Sequence, residues 1–421
     1  MNTRRPLDNS KAPAALSVSL NDDKSFFSVG LEDGFRIYNA RTCDAVASQV
    51  DLNGGIGSAE MVDRTNFLAL VGGGKQPKFP QNKVIIWDDR KKTKVLTLEF
   101  RAAIQRVRIS RTHIVVVLLN SVNLYKFSTT PEKLGAFETT NNPFGLCCLG
   151  KRLLCFPGRT PGHVQLVELA SRNISILPAH SAPLRALDLS PDEAVCATAS
   201  EKGTLLRVWS TANCSRLAEL RRGVDPAAVF SLAISPNSTY LAVTSDKSTL
   251  HLFDLPPLRG SSGSGGGGGG GGAGNRAASP SIGGSDGGGP NWEVVSSEGY
   301  PLGAASNANK KYGIFSTMPL MPRVVTDTYS LASAHFEIGE EPEGWTPAGG
   351  LGKVGASPSR SVPIPGVPGG RPPKGVIGWL NDETMIVLGA GHDARWEQFS
   401  LRLGEEGRRF LARDGWRRYM E

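Results

Sequence analysis

Two adjacent arginines, Arg221 and Arg222, stand in the run Leu220-Arg221-Arg222-Gly223, between two near-copies of one short pattern. Before the pair comes Ser200-Glu201-Lys202-Gly203-Thr204-Leu205-Leu206-Arg207. After it comes Ser245-Asp246-Lys247-Ser248-Thr249-Leu250-His251. Each copy reads Ser, acid, Lys, small residue, Thr, Leu. In an extended chain, neighbouring side chains point to opposite sides, so Arg221 can serve one pocket and Arg222 another. Guanidinium groups grip phosphate oxygens through paired donors, and Ser and Thr hydroxyls complete such a cage. The pattern reads as two anion sites side by side, with Gly223 letting the chain turn directly after the pair. An Arg-Arg dipeptide alone is ordinary solvated surface; the doubled flanks set this one apart.

These residues need elements to hold them. At 421 residues the chain is too long for one ordinary compact domain unless it is a repeat fold or carries insertions, and both exceptions apply. Three short strands, Ser17 to Leu20, Phe26 to Leu31 and Gly34 to Tyr38, are separated by polar turns. The same pattern recurs at Met61 to Trp87, Ile104 to Phe127, Gly145 to Leu169, Leu184 to Trp209, Val229 to Phe253 and Val376 to Phe399. Apolar runs of strand length at regular spacing, with WD-like endings at Trp87-Asp88, Trp209-Ser210 and Phe253-Asp254, mark propeller blades. The expected fold is all-β, a single seven-bladed β-propeller over 1–421 with WD-like blades and two disordered insertions. The fourth strand of each blade is the weakest signal.

Pro256 to Thr328 falls between the third and fourth strands of blade six and holds an unbroken glycine run, Gly265 to Gly272. Such a run buries too little surface to offset its ordering entropy. Its distal part, Lys310 to Arg323, mixes cations with Tyr312, Ile314, Phe315, Met318, Leu320 and Met321. That composition suits either an interfacial membrane anchor or a loop packed back onto the propeller. Glu340 to Lys374, rich in Pro and Gly, reads as a second flexible loop between blades six and seven.

The formal charge of +8 favours an anionic partner: nucleic acid, phosphoinositide or membrane surface. The six cysteines form no CxxC pair and read as buried reduced thiols. The N-terminus lacks the apolar core of a signal peptide, and no apolar run is long enough to span a bilayer. The expectation is a cytoplasmic protein with peripheral membrane contact only.

At this point the residues carry a resemblance to the PROPPIN family, β-propellers that bind phosphoinositides. Leu220-Arg221-Arg222-Gly223 is similar to its Phe/Leu-Arg-Arg-Gly signature. Val71 to Pro80 followed by Val84 to Asp89 resembles its second blade. Phe156-Pro157-Gly158 with Gly162 to Leu166 resembles its fourth, and Ala197 to Thr204 its fifth. The likeness covers nearly the whole chain outside the insertions. It is closest to the branch holding the animal WIPI types three and four and the fungal homologues of swollen-vacuole proteins.

The resemblance implies two rim sites in blades five and six for phosphatidylinositol 3-phosphate or the 3,5-bisphosphate. Carried over by residue, the first would use His180, Ser200, Lys202, Thr204, Arg207 and Arg221. The second would use Arg222, Ser245, Thr249 and His251. The family's membrane-inserting loop would fall in Pro256 to Thr328. Ser248 departs from the pattern, since close relatives carry Gly there, and so does the polyglycine tract. The implied role is recruitment of partners to membranes in autophagy or in vacuolar and organelle turnover, by a monomer placed peripherally on vacuole, endosome and pre-autophagosomal membranes. The two histidines are expected to tighten binding in mild acid, where imidazolium can pair with phosphate.

Other candidates carry less. Gly72-Gly73-Gly74-Lys75 lacks the rest of a P-loop. Asp88 and Asp89 sit where WD endings satisfy turns. His163 and His392 are lone histidines in turn-like contexts. No catalytic triad or metal-ligand cluster is recoverable from spacing, so the expectation is a non-enzyme without cofactor or metal. Lys75 to Arg111 holds eleven Lys/Arg against three acids. It could be solvated surface, an acidic-partner site or a nucleic-acid stripe, and the lack of interleaved aromatics argues against nucleic acid. In the family, blades two and three face protein partners, including autophagy's rod-shaped lipid-transfer protein, which favours a partner site. The rival class is a WD-type protein scaffold without lipid binding.

Overall fold

The computed structural model describes residues 14–49, 52–257, 328–339, 363–405 and 407–421. Within them the chain forms seven four-stranded antiparallel sheets, each pairing its strands in sequence order. This is the seven-bladed propeller expected from the repeat. Inner strands follow one another around the axis, among them Ala15–Leu20, Ile56–Met61, Ile104–Ile109, Leu184–Leu189, Val229–Ile234 and Val376–Trp379.

The strand types follow from what each blade buries. A second strand lies inside its sheet with blades packed on both faces, so it is buried along nearly its whole length and mostly apolar, as in His113–Leu118 and Tyr240–Ser245. An outer strand is covered on one face at most, so Arg409–Arg418 is mainly exposed. That is why the fourth strands were faint in sequence. In five blades the third-to-fourth pairing slips by one residue just before an aromatic: Tyr38, Trp87, Tyr125, Trp209 and Phe399. A bulge there re-aims the ring into the space between blades, and this gives the repeat its aromatic mark.

Blades one and seven close the ring side by side. Ala15 and Gly391 exchange backbone bonds of 3.0 and 2.7 Å, the Tyr38 hydroxyl donates to the Tyr419 carbonyl, and Trp396 Nε1 donates to the Ala40 carbonyl, each at 2.7 Å. Blade four is fastened to blade five by the Glu193 carboxylate, which accepts the N–H groups of Lys151, Arg152 and Leu153 at 2.6 to 3.1 Å.

Residues 363–374 differ from the flexible reading of their composition. They cross the propeller on the end that carries the second-to-third turns and the blade connectors. Pro365 accepts the Gly74 N–H (2.9 Å), Gly369 donates to Pro143 (2.7 Å), and Pro373 accepts the Ala390 N–H (2.8 Å). The same glycines that would loosen a free loop let backbone lie on backbone here. A Cβ at Gly366 would stand 2.1 Å from the Gly72 carbonyl oxygen, and one at Gly73 2.4 Å from Gly57 Cα. Gly72 to Gly74 therefore seat this strap, which accounts for a run that faintly resembled a phosphate loop.

Candidate functional site

The arginine pair lies at the seam between blades five and six. Arg221 ends the outer strand of blade five, Arg216–Arg221, and its N–H donates to the Thr328 carbonyl (2.9 Å), at the lead-in to blade six's outer strand Ala332–His335. The next N–H, of Arg222, points back to the Thr204 carbonyl of blade five (3.0 Å). Successive donors thus turn to opposite blades, as the period of an extended chain requires.

The two similar flanks are the second-to-third turns of blades five and six, and they share one backbone geometry. Gly203 donates its N–H to Ser200 and Ser248 to Ser245, at 2.9 and 3.2 Å. Gly203 has φ +61° and Ser248 φ +56°. Both turns are stitched to the connector 223–228. Ala227 donates its N–H to Lys202 (3.2 Å), while Ala228 and Asp246 exchange bonds of 3.0 Å.

Arg222 is 8% exposed. Its Nε donates to the Gly203 carbonyl (2.6 Å) and one terminal nitrogen to the Asp225 carbonyl (2.5 Å). Those bonds use two of the five N–H donors of a guanidinium. Burial lowers its pKa, with Asp246 and Asp225 acting against that; a guanidinium remains charged at neutral pH. Arg207 is also engaged, to Glu219 (2.8 Å) and to the Ala179 carbonyl (2.7 Å). Lys202 and Lys247 are exposed, Thr204 and Thr249 are half-buried, and Ser200 is 6% exposed. Ser245 has no exposed surface, and its hydroxyl lies 3.4 Å from that of Thr249.

Each site has a histidine beside an arginine. His180 Nε2 lies 3.0 Å from Thr198 Oγ1. Thr198 donates its only hydroxyl proton to the Arg207 carbonyl (3.2 Å), so Nε2 carries the imidazole proton and Nδ1 is the acceptor. His251 Nδ1 lies 3.3 Å from the Ser330 hydroxyl. Burial first, then the neighbouring guanidinium, pushes both pKa values down from 6.5 to about 4; the guanidinium is Arg207 for His180 and Arg222 for His251.

This runs against the mild-acid expectation, because burial and the neighbouring guanidinium together hold both rings neutral there in the free protein. Affinity for a phosphorylated head group is expected not to rise between pH ~7.5 and ~5.5, where the phosphate itself also loses charge. Fold stability should fall as pH drops from about 6.5 to about 4, because the unfolded chain takes up protons that the folded one refuses. Vesicle binding and thermal melts across that range check both; a clear rise in affinity toward pH ~5.5 would contradict the burial argument.

Sequence reasoning found the turns but missed Thr198, which ties together His180, Arg207 and Trp209 Nε1 (3.3 Å). Its only signal was a polar residue in the apolar strand Val195–Ser200. Ser330 lies beyond the long insertion and left no signal. Gly223 is not the pivot expected of it: its φ is not positive, and an added Cβ would meet nothing within 4 Å. Residues 258–327 lie outside the described residues, and with them Tyr312, Ile314, Phe315, Met318, Leu320 and Met321.

The axis carries an ion pair, Arg108 to Glu60 (2.8 Å), with the Ser19 hydroxyl on the other Glu60 oxygen (2.7 Å). Asp188, also on an inner strand, is pushed up to about 6 by burial. Its carboxylate accepts the Ile234 N–H (2.8 Å) and so joins the inner strands of blades five and six. Both features are accounted for by holding the ring together. Asp88 accepts the N–H groups of Arg90 and Lys91 at 3.0 and 3.1 Å, which is the turn role expected of a WD ending. No cluster of three metal-ligating side chains occurs among the described residues. No helix among them is long and apolar enough to cross a membrane.

A family model described as PROPPIN matches residues 14–267. The chain is 53% identical over 360 residues to SVP1-like protein 2 of Emericella nidulans, covering 86% of this chain and 99% of that one. Among solved structures it resembles Hsv2 of Kluyveromyces marxianus, with TM-score 0.67 and 19% identity, covering 97% of this chain and 100% of that one. It also resembles the structure described as a complex of KlAtg21 with the coiled-coil of AgAtg16, with TM-score 0.60 and 18% identity, covering 96% and 99%. At such identities these two structures speak for the fold alone.

Proposed function

This chain belongs to the PROPPIN family, a family of phosphoinositide-binding propellers rather than enzymes, and on that premise we propose that the seam of blades five and six holds two lipid head groups, one on each arginine. The observation that carries this reading is the duplication. Two turns of like sequence and like φ flank one connector, with Arg207 beside His180 on one side and Arg222 beside His251 on the other.

In the first site, Arg221, Lys202 and Thr204 supply donors to a 3-phosphate, while Arg207 is steadied by Glu219 and Ser200 supports the turn. His180, neutral and protonated on Nε2, offers Nδ1 to an inositol hydroxyl rather than a charge to the phosphate. In the second site, Arg222 and Thr249 are the donors, with Ser245 behind Thr249 and His251 alongside. Either the 3-phosphate or the 3,5-bisphosphate fits this donor set. One such site is weak because a hydrated phosphate must be stripped of water, and two on one membrane act together, multiplying affinity by roughly a hundredfold or more. The apolar residues between Lys310 and Arg323 would add an inserted loop.

Bound in this way, the propeller would present Lys75, Lys78, Arg90, Lys91 and Lys94, all exposed on blade two, to an acidic protein partner. Family membership supports a role in assembling autophagy proteins on a membrane, with a coiled-coil such as the one in the Atg21 complex and the rod-shaped lipid-transfer protein as candidate partners. The proposed setting is the cytoplasmic face of vacuole, endosome or pre-autophagosomal membranes. Vesicle flotation with and without phosphatidylinositol 3-phosphate tests the lipid step. Flotation only with the lipid supports it, whereas folded protein that never floats would return the chain to the protein-scaffold class.

A further inference from the structure

We propose that Val224 is a membrane-contacting residue of the arginine seam: the tip of the connector dips its side chain into the interface when a head group is bound. This rests on the head-group reading above and adds a contact outside the head group itself.

Val224 is 79% exposed, more than any other large apolar side chain among the described residues. Most of the others, such as Val46, Val95, Ile174, Ile176, Phe410 and Trp416, lie on outermost strands, where one face meets solvent by construction. Val224 instead stands on the blade connector, two residues past Arg222, with Asp225 and Pro226 exposed beside it. The tip is not loose. The Arg222 guanidinium grips the Asp225 carbonyl (2.5 Å) and the Gly203 carbonyl (2.6 Å), and the Ala227 and Ala228 N–H groups are bonded to the two turns.

The group that would hold the second lipid therefore also fixes the position of Val224. A phosphate reaching Arg222 brings its glycerol and acyl chains to within the width of this turn. The surrounding charges suit an anionic surface: Lys202, Arg221, Arg222 and Lys247 flank the tip. Glu201, Asp225 and Asp246 are the opposing acids, and Asp225 and Asp246 already interact with Arg222. An apolar side chain in that place costs nothing in the free protein and gains on transfer to the interface.

The test uses the full chain and vesicles of phosphatidylcholine and phosphatidylserine, with and without phosphatidylinositol 3-phosphate. Soluble inositol 1,3-bisphosphate, titrated in parallel, reports on the head-group site alone. Val224→Thr should weaken vesicle binding about 3- to 10-fold and Val224→Phe should tighten it by a similar factor. Soluble head-group affinity should change by less than about twofold in either. A tightening by Val224→Phe cannot come from misfolding. Unchanged vesicle affinity in both variants, or an equal loss toward the soluble head group, would overturn the membrane contact while leaving the head-group reading standing. Absence of 3-phosphate-dependent binding in the unaltered chain would instead sink that reading, and this one with it.

Discussion

The double variant Arg221→Thr/Arg222→Thr is expected to lose all 3-phosphate-dependent vesicle flotation, while either single change leaves weakened but measurable binding. On the proposed reading each arginine holds a different head group, so a single change removes the main cation of one site and the avidity that linked it to the other. The loss should be about 10- to 100-fold, because the second site acts at the effective concentration set by the first. Removing both leaves Arg207, already bonded to Glu219 and the Ala179 carbonyl, with neutral histidines, lysines and hydroxyls, below what a flotation assay detects. The two single variants should also differ in the fold. Arg222 bridges the Gly203 and Asp225 carbonyls, and buried bonds from a charged donor contribute on the order of 1.5–3 kcal/mol. Arg222→Thr should therefore lower the melting temperature more than Arg221→Thr. Complete loss of binding from either single change, with the fold intact, would contradict two separate sites.

A second large effect should come from Gly203→Ala. Gly203 holds φ +61°, and an added Cβ would lie 1.8 Å from the Ala227 carbonyl oxygen. The left-handed conformation costs a side-chain-bearing residue about 1–2 kcal/mol, and the clash is with backbone, which cannot rotate aside. The turn must open, and the Gly203 carbonyl then leaves Arg222. The expected loss is more than about 3 kcal/mol of stability, or failure to fold, together with loss of binding at both sites. Ser248 is the control, since it occupies the same turn of blade six at φ +56° with a side chain already in place. Ser248→Gly relieves strain without opening a cavity and should be neutral or stabilising by up to about 1 kcal/mol. Thermal melts of the two variants measure the contrast; equal and small effects would mean that the turns are not the paired scaffold described above.

The blades were legible because their first three strands each bury a face and carry an apolar period. The outer strands were not, since a strand such as Arg409–Arg418 is mostly solvated and resembles loop. The strap 363–374 was invisible for a related reason. Its Pro and Gly content is what a free loop would have, and only the matching glycines of blade two, far away in sequence, turn it into a packed segment. At the site, the duplicated turns stood out because they are local in sequence. The Arg222 bridge from Gly203 to Asp225, the Thr198 hub and the Ser330 contact to His251 join distant segments, and no spacing encodes them. Histidine protonation failed from sequence because it depends on burial and on the facing arginine. Gly223 shows the converse: it looked like a required pivot, and the backbone makes no demand for glycine there.

Calorimetric titration of soluble inositol 1,3-bisphosphate into the full chain counts head groups per propeller and so bears on the central claim without a membrane. Two equivalents are expected for the unaltered chain and one for each single arginine variant. A single equivalent in the unaltered chain, or both equivalents lost from one arginine change, would contradict a seam divided between Arg221 and Arg222.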